Sequence, residues 1–260
     1  MKRQPILPVL PVLWLLAVCT GCNSPVLQPF QSSGALVIDQ EPFTRQIQIA
    51  DNIKTVEIQH EGGNLTVMGW DQPYMLVEGI KQAAAETVED AKAILYSIDL
   101  SAYESPINRL VIEYQDSQGF SWLKKPAGRI DYTAKVPRGI TLELKVKRGS
   151  VTVSDAESDV WITHETGDVT AEKIRANLDV KSTGNSSAGN QVRIRDIRYN
   201  VRTETKDNRL EVEQIGGNAD ITHRNGECRI RQIGRDVSFQ GNEASLLLQD
   251  VKGYNNLDNR

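Results

Sequence analysis

Three cysteines and three histidines among 260 residues leave little material for disulfides or metal sites. Aromatics make up only 6% of the chain, and no run of 18 or more apolar residues occurs that could cross a bilayer as a helix. Basic charge is also scarce, with 30 Lys and Arg against 34 Asp and Glu, so the electrostatic footprint of a nucleic-acid binder is absent. The rest of the composition is near the globular average, which suits one or two folded domains with a sizeable core.

The N-terminus carries Lys2 and Arg3 and then the apolar run Ile6 to Val18, "ILPVLPVLWLLAV", which is short for a span and suited to a secretory signal. The run ends in "CTGC". Thr20 and Gly21 before Cys22 resemble the lipobox of bacterial lipoproteins, with Cys19 standing where Leu is usual. The resemblance implies cleavage after residue 21 and lipidation of Cys22, and two or three acyl chains hold a protein stably on a membrane. Asn23 and Ser24 follow without the Asp that retains enterobacterial lipoproteins at the inner membrane, so an outer-membrane location is expected. The mature chain would have 28 cations against 34 carboxylates, a net charge of −6, and Cys228 as its one free thiol.

A recurring ten-residue pattern dominates the remainder. "KRGSVTVSDA", "ETGDVTAEKI", "KDNRLEVEQI" and "RNGECRIRQI" share apolar spacing while their letters change. Val151, Val169, Val192, Leu210, Cys228 and Leu246 form one column at intervals of 18 residues, with five extra residues near "GNSSAGN". Leu142, Val160, Leu178, Val201, Ala219 and Val237 form a second column, and Ala156, Ile174, Ile197, Ile215, Ile233 and Val251 a third, both at the same intervals. Within each period the apolar residues alternate, the signature of strands with one buried face. Such spacing predicts a mainly β protein, a β-solenoid of about 18 residues per coil. Gly149, Gly167, Asn190, Asn208 and Gly226 lie two residues before a strand and are expected to take a left-handed backbone there. Outward columns alternate in sign, as in Arg193, Glu211, Arg229 and in Glu172, Arg195, Glu213, Arg231, which predicts in-register stacking.

Val56, Ile58, Leu65, Val67 and Trp70 repeat the offsets near the N-terminus, with Gly63 at the turn. Next, "AAAETVEDAKAILYSI" (83–98) places Val88, Ala91 and Leu95 on one helical face. "NRLVIEY" and "RIDYTAKVP" alternate as strands, the second closed by Pro137. The expected organisation is a signal peptide at 1–21, a tether at 22–45, an N-terminal coil with a small helix-bearing α+β excursion at 46–140, solenoid repeats at 141–253 and an unpatterned tail at 254–260.

The stretch "IDYTAKVPRGITLELKVKRGSVTV" followed by "THETGDVTAEKI" resembles the bacterial putative-adhesin family of unknown function, a β-helix with Gly-Asp-Val turns. The resemblance covers residues 50–253 and fades after Gly167, where Asn and Arg replace Gly and Asp. It implies a fold and brings no catalytic residue with it.

Chemistry-bearing residues are dispersed. Cys228 belongs to an inward column and is expected to pack rather than react. His164 and His223 share a phase with Ser182 and Thr205 between them, about 14 Å apart at strand spacing, and His60 is isolated, so neither a shared metal nor a triad is expected. The acidic turn "SDAESD" holds Asp155, Glu157 and Asp159 but lacks the glycine-rich Ca²⁺ pattern, which favours a solvated turn. No metal, cofactor or catalytic residue is expected. Trp161 lies between inward Val160 and Ile162 and should face outward, beside Glu143, Asp179, Arg202, Asp220 and Ser238, as a contact for sugar rings or a partner, or else pack under the helix. Phe120 and Trp122, next to Lys124 and Lys125 in "GFSWLKKPAG", suit contact with a lipid headgroup layer or another protein, or else a loop folded over the solenoid end.

The resulting expectation is a lipid-anchored, non-enzymatic envelope protein that binds a polysaccharide or protein, with self-association possible through the solenoid end. A β-helical polysaccharide-active enzyme and an envelope stress or assembly scaffold are the alternatives. Apolar offsets of 0, 2, 9, 11 and 14 argue against the six-residue period of hexapeptide acyltransferases.

Overall fold

The computed structural model describes residues 37–114, 127–184 and 190–259. Four strands, β1 (Val37–Gln48), β2 (Thr55–His60), β3 (Leu65–Trp70) and β4 (Tyr74–Ala85), precede the helix α1 (Val88–Ser97). After it come β5 (Leu100–Ser105), β6 (Arg109–Tyr114), β7 (Ala127–Pro137), β8 (Thr141–Arg148), β9 (Val151–Ser154), β10 (Val160–Thr166), β11 (Val169–Ile174) and β12 (Leu178–Thr183). The chain ends with β13 (Gln191–Ile197), β14 (Val201–Lys206), β15 (Arg209–Ile215), β16 (Ala219–Ile233), β17 (Val237–Val251) and β18 (Asn255–Asn259).

Register follows the apolar columns. Val160 pairs with Leu142 on one side and Leu178 on the other, and Leu178 in turn with Val201. Val192 lies between Val169 and Leu210, and Leu210 faces Cys228. The outward charges align as well: Arg193 opposes Glu211, which opposes Arg229, and Arg193 Nε donates to Glu211 at 3.2 Å. Inward residues from all parts of the described chain, including Val56, Ile112, Leu144, Ile194 and Phe239, belong to one hydrophobic cluster. Burial of those rows supplies the stability, since exposed ion pairs contribute little.

The expected solenoid of repeats with an appended excursion is corrected by the strand pairing. All 18 strands belong to a single sheet that curls around that one core as a barrel-like wall, mostly β with one helix among the described residues. Its strands are not equivalent repeats. β4 runs antiparallel to both β1 and β7, β5 runs antiparallel to β6, and β7 also lies parallel to β3. The segment expected to stand apart is thus woven into the sheet. An 18-residue spacing in sequence reports which residues face each other across neighbouring strands, and antiparallel strands with no such spacing can join the same wall.

Segments expected outside the sheet also join it. Residues 37–45 of the expected tether lie in β1, and most of the expected tail forms β18, which pairs with β17. The helix expected within 83–98 occupies Val88–Ser97, ten residues, and Ala83, Ala84 and Ala85 end β4 before it. Thr87 caps α1 by accepting from the Asp90 N–H at 3.1 Å, with Glu89 and Asp90 in its first turn. The helix buries Ala91, Ile94 and Leu95, while Val88 is exposed.

Left-handed turns occur at Gly63, Gly149, Gly167 and Gly226, but Asn208 does not take positive φ. Asp207, just before it, does so instead, and Asn225 joins Gly226. Asn208 is buried and donates its side-chain amide to the Ser182 carbonyl at 3.3 Å. At Gly149 and Gly167 the backbones stack closely: a Cβ on Gly149 would stand 1.8 Å from the Gly63 carbonyl oxygen, and one on Gly167 2.3 Å from that of Gly149. A second left-handed column, Asp155, Lys173, Asp196, Gln214, Gln232 and Asp250, precedes the apolar corner residues. Asp155, Asp196 and Asp250 are types that accept this geometry, whereas Lys173, Gln214 and Gln232 give no warning of it.

Candidate functional site

Trp161 is the large aromatic on the outward face of β10, flanked by buried Val160 and Ile162, and it is 43% exposed. It therefore faces solvent and is not packed under α1, whose neighbours are β1 and β4. Strand register places Glu143 beside it on one side and Asp179, Arg202, Asp220 and Ser238 successively on the other. A shallow cavity of about 440 Å³ runs along this row, lined by Asp159, Trp161, Asn177, Asp179, Arg202 and Asp220 among others. Burial pushes the Asp179 carboxyl above the usual carboxylate range, opposed by nearby Arg202.

An Asx ladder forms one wall of that cavity. Asp159 Oδ1 accepts from the Asn177 N–H at 3.0 Å, Asn177 Oδ1 from the Asn200 N–H at 3.2 Å, and Asn200 Oδ1 from the Asn218 N–H at 2.9 Å. The ladder continues through Asp236, which accepts from the Tyr254 N–H at 2.8 Å. These side chains close each turn onto the next and hold the outward row at strand spacing, about 4.8 Å per step. The sequence reading missed them, although Asp159, Asn177, Asn200, Asn218 and Asp236 keep the intervals of the apolar columns.

Next to Trp161, charges are matched among themselves. Glu57 is buried and pairs with Arg109 and with Lys145 at 2.7 Å, while Glu143 pairs with Arg109 at 2.8 Å and Lys145 at 2.9 Å. Burial pushes the Glu57 carboxyl up, yet the hydrogen bonds from Lys145 and Arg109 outweigh it and hold it below its ordinary value. The same contacts raise Arg109 and Lys145. Two cations against two carboxylates, all engaged, brace this face.

The other singled-out residues are placed as follows. Cys228 is fully buried between Leu210 and Leu246, and burial pushes its thiol up to about 12. His164, Ser182, Thr205 and His223 form one buried inward column. His164 Nε2 lies 2.8 Å from the Gly149 carbonyl oxygen and His223 Nδ1 lies 2.8 Å from Thr205 Oγ1. Burial lowers His60 and His223 to about 4 and lowers His164 too, which keeps all three neutral at pH 7. In the acidic turn, Asp159 is committed to the Asx ladder and Asp155 faces Arg138 at 4.0 Å. Among the described residues no group of three His, Cys, Asp or Glu could hold a metal. Cys22, Phe120 and Trp122 lie outside the described residues.

A further groove of about 810 Å³ follows the second left-handed column, lined by Arg175, Asp196, Arg198, Gln214, Gln232 and Lys252 among others. Gly216 and Gly234 form part of its floor. Its charges are mixed, and Arg175 pairs with Asp196 at 3.6 Å.

No family model and no curated protein matches the chain. Solved structures similar to the chain include the following three. A putative adhesin from Bacteroides fragilis NCTC 9343 is 14% identical over 85% of this chain and 97% of its own, with a TM-score of 0.37. A putative cell adhesion protein from Clostridium sporogenes ATCC 15579 is 8% identical over 85% and 100%, with a TM-score of 0.29. A putative lipid binding protein from Parabacteroides distasonis ATCC 8503 is 13% identical over 82% and 96%, with a TM-score of 0.36. No residue role transfers to this chain at such identities and scores.

Proposed function

We propose that this chain is a non-enzymatic envelope module, held to a bacterial outer membrane by acyl chains on Cys22, that binds a linear, uncharged polysaccharide along the Trp161 row. The single observation that carries the binding reading is the exposure of Trp161 at the head of a polar cavity crossing several strands. An aromatic face stacks on the C–H face of a sugar ring, and the polar side chains beside it exchange hydrogen bonds with hydroxyls. Successive side chains in the row stand one strand apart, comparable to the length of one sugar ring in an extended glycan, so neighbouring rings would meet equivalent positions. Among the described residues lining the cavity, Asp159, Asp179 and Asp220 outnumber Arg202, a balance that disfavours uronic-acid polymers and favours neutral ones.

The binding test is affinity electrophoresis through gels containing neutral or acidic polysaccharides. Retardation by a neutral polymer that falls about tenfold or more in Trp161→Ala and is largely retained in Trp161→Phe supports the reading. Retardation that is equal in Trp161→Ala rejects it, and loss in Trp122→Ala or Phe120→Ala alone moves the contact to the sequence around Phe120 and Trp122. For the anchor, incorporation of labelled palmitate that disappears in Cys22→Ser is expected, and an unlabelled native chain rejects it.

A further inference from the structure

The last long strand has only a third of its outer edge paired. β18 pairs with Val237–Gly241 of β17, while the outer edge of Asn242–Val251 has no strand partner among the described residues. The core is uncovered at the same place. Cys228, Ile230 and Ile233 on β16 are fully buried, whereas Leu246, Leu248 and Val251, one strand further out, are only partly buried, and Leu247 on the opposite face is 48% exposed. An unpaired edge carrying apolar residues is a template for another strand. Residues 242–251 contain no Lys, Arg or Pro, the residue types that usually guard such an edge.

We propose that this edge pairs with the same edge of a second copy of the chain, antiparallel about a two-fold axis through Leu247, giving a closed dimer with one sheet continuous across both molecules. The segment is self-complementary in that register. Over Ser245–Gln249, Leu247 meets Leu247, Leu246 meets Leu248 and Ser245 meets Gln249, so no charges face each other there, and Asp250, whose backbone is left-handed, ends the ladder. Every contact is then made twice, as an isologous interface requires. The other exposed edges do not suit a head-to-tail alternative. β1 carries Asp39, Glu41, Pro42 and Arg45 along its length, the short β5 ends in Tyr103, Glu104 and Ser105, and β18, whose outer edge is also unpaired among the described residues, offers only five residues with Leu257 between Asn256 and Asp258. A closed pair is therefore favoured over an open filament. The edge is distinct from the Trp161 row, so the two proposals stand or fall separately.

Sedimentation equilibrium of the full chain carrying Cys19→Ser and Cys22→Ser, in a mild detergent, tests the pairing. A concentration-dependent dimer is expected, with Leu247→Lys monomeric over the same range and unchanged in melting temperature. In the same background, Leu247→Cys should oxidise to a disulfide-linked dimer, since residues facing each other at the axis bring their Cβ atoms together. Leu257→Cys, exposed on β18 away from the axis, should not. A strict monomer at all concentrations, as would follow if the edge is covered by the chain's own N-terminal residues or reserved for a foreign strand, overturns the proposal. So does a dimer that survives Leu247→Lys, or cross-linking through Leu257→Cys that equals that through Leu247→Cys.

Discussion

The two ends of the sheet are finished differently. At the N-terminal end, β4 lies between β1 and β7 in antiparallel pairing, and α1 packs on β1 and β4 with Ala91, Ile94 and Leu95 buried. At the C-terminal end, β17 has an edge paired over only a third of its length and a row of leucines only partly covered. The same chain thus closes one end of its core with a helix and crossed strands and leaves the other to its last strand. Closure costs sequence that breaks the 18-residue spacing, and the open end keeps that spacing to the last apolar corner, Val251.

Several substitutions sharpen that contrast. The largest effect is expected where the antiparallel region meets the in-register strands: Gly149→Ala adds a Cβ against the Gly63 carbonyl at a left-handed position and should cost about 3 kcal/mol or more, measured by urea unfolding. Ile94→Ala at the covered end should cost about 2–4 kcal/mol, while Leu248→Ala at the open end should cost less than about 1.5 kcal/mol in dilute protein. Equal losses would mean that the two ends are equally packed.

Acidification should weaken the interior between those ends. His60 and His223 have folded-state values near 4, below the ordinary 6.5, so the unfolded chain takes up protons first as pH falls. The stabilisation from keeping them neutral is fully present above about pH 6.5 and is lost as pH drops towards 4. For His60 that loss is on the order of 3 kcal/mol, read as a falling melting temperature between pH 7 and 4. Glu57, held below its ordinary value, adds a further loss in more acidic solution. The smallest effect on stability is expected from Trp161→Ala, within about 0.5 kcal/mol, because its ring faces water; its effect belongs to polysaccharide binding.

The in-register part of the fold was legible because alternation and the 18-residue interval together specify both strand and neighbour. Trp161 was legible for the same reason, since flanking by Val160 and Ile162 left it only one face. The antiparallel strands were not. "VIDQEPFTR" alternates polar residues on a mostly exposed edge and contains Pro42, which reads as linker, and Ala83–Ala85 have helix propensity that burial beneath α1 overrides. The left-handed positions at Lys173, Gln214 and Gln232 were hidden because none of these residue types marks such a turn. The Asx ladder, by contrast, is written in the spacing, since Asp159, Asn177, Asn200, Asn218 and Asp236 keep the intervals of the apolar columns.

The contrast between the ends is tested most directly by hydrogen exchange, followed strand by strand in protein dilute enough to be monomeric. Amides in the paired β4 and β7 should exchange slowly, in the range set by global unfolding, while those of residues 242–251 on β17 exchange much faster. Equal protection in the two regions would contradict an open C-terminal end.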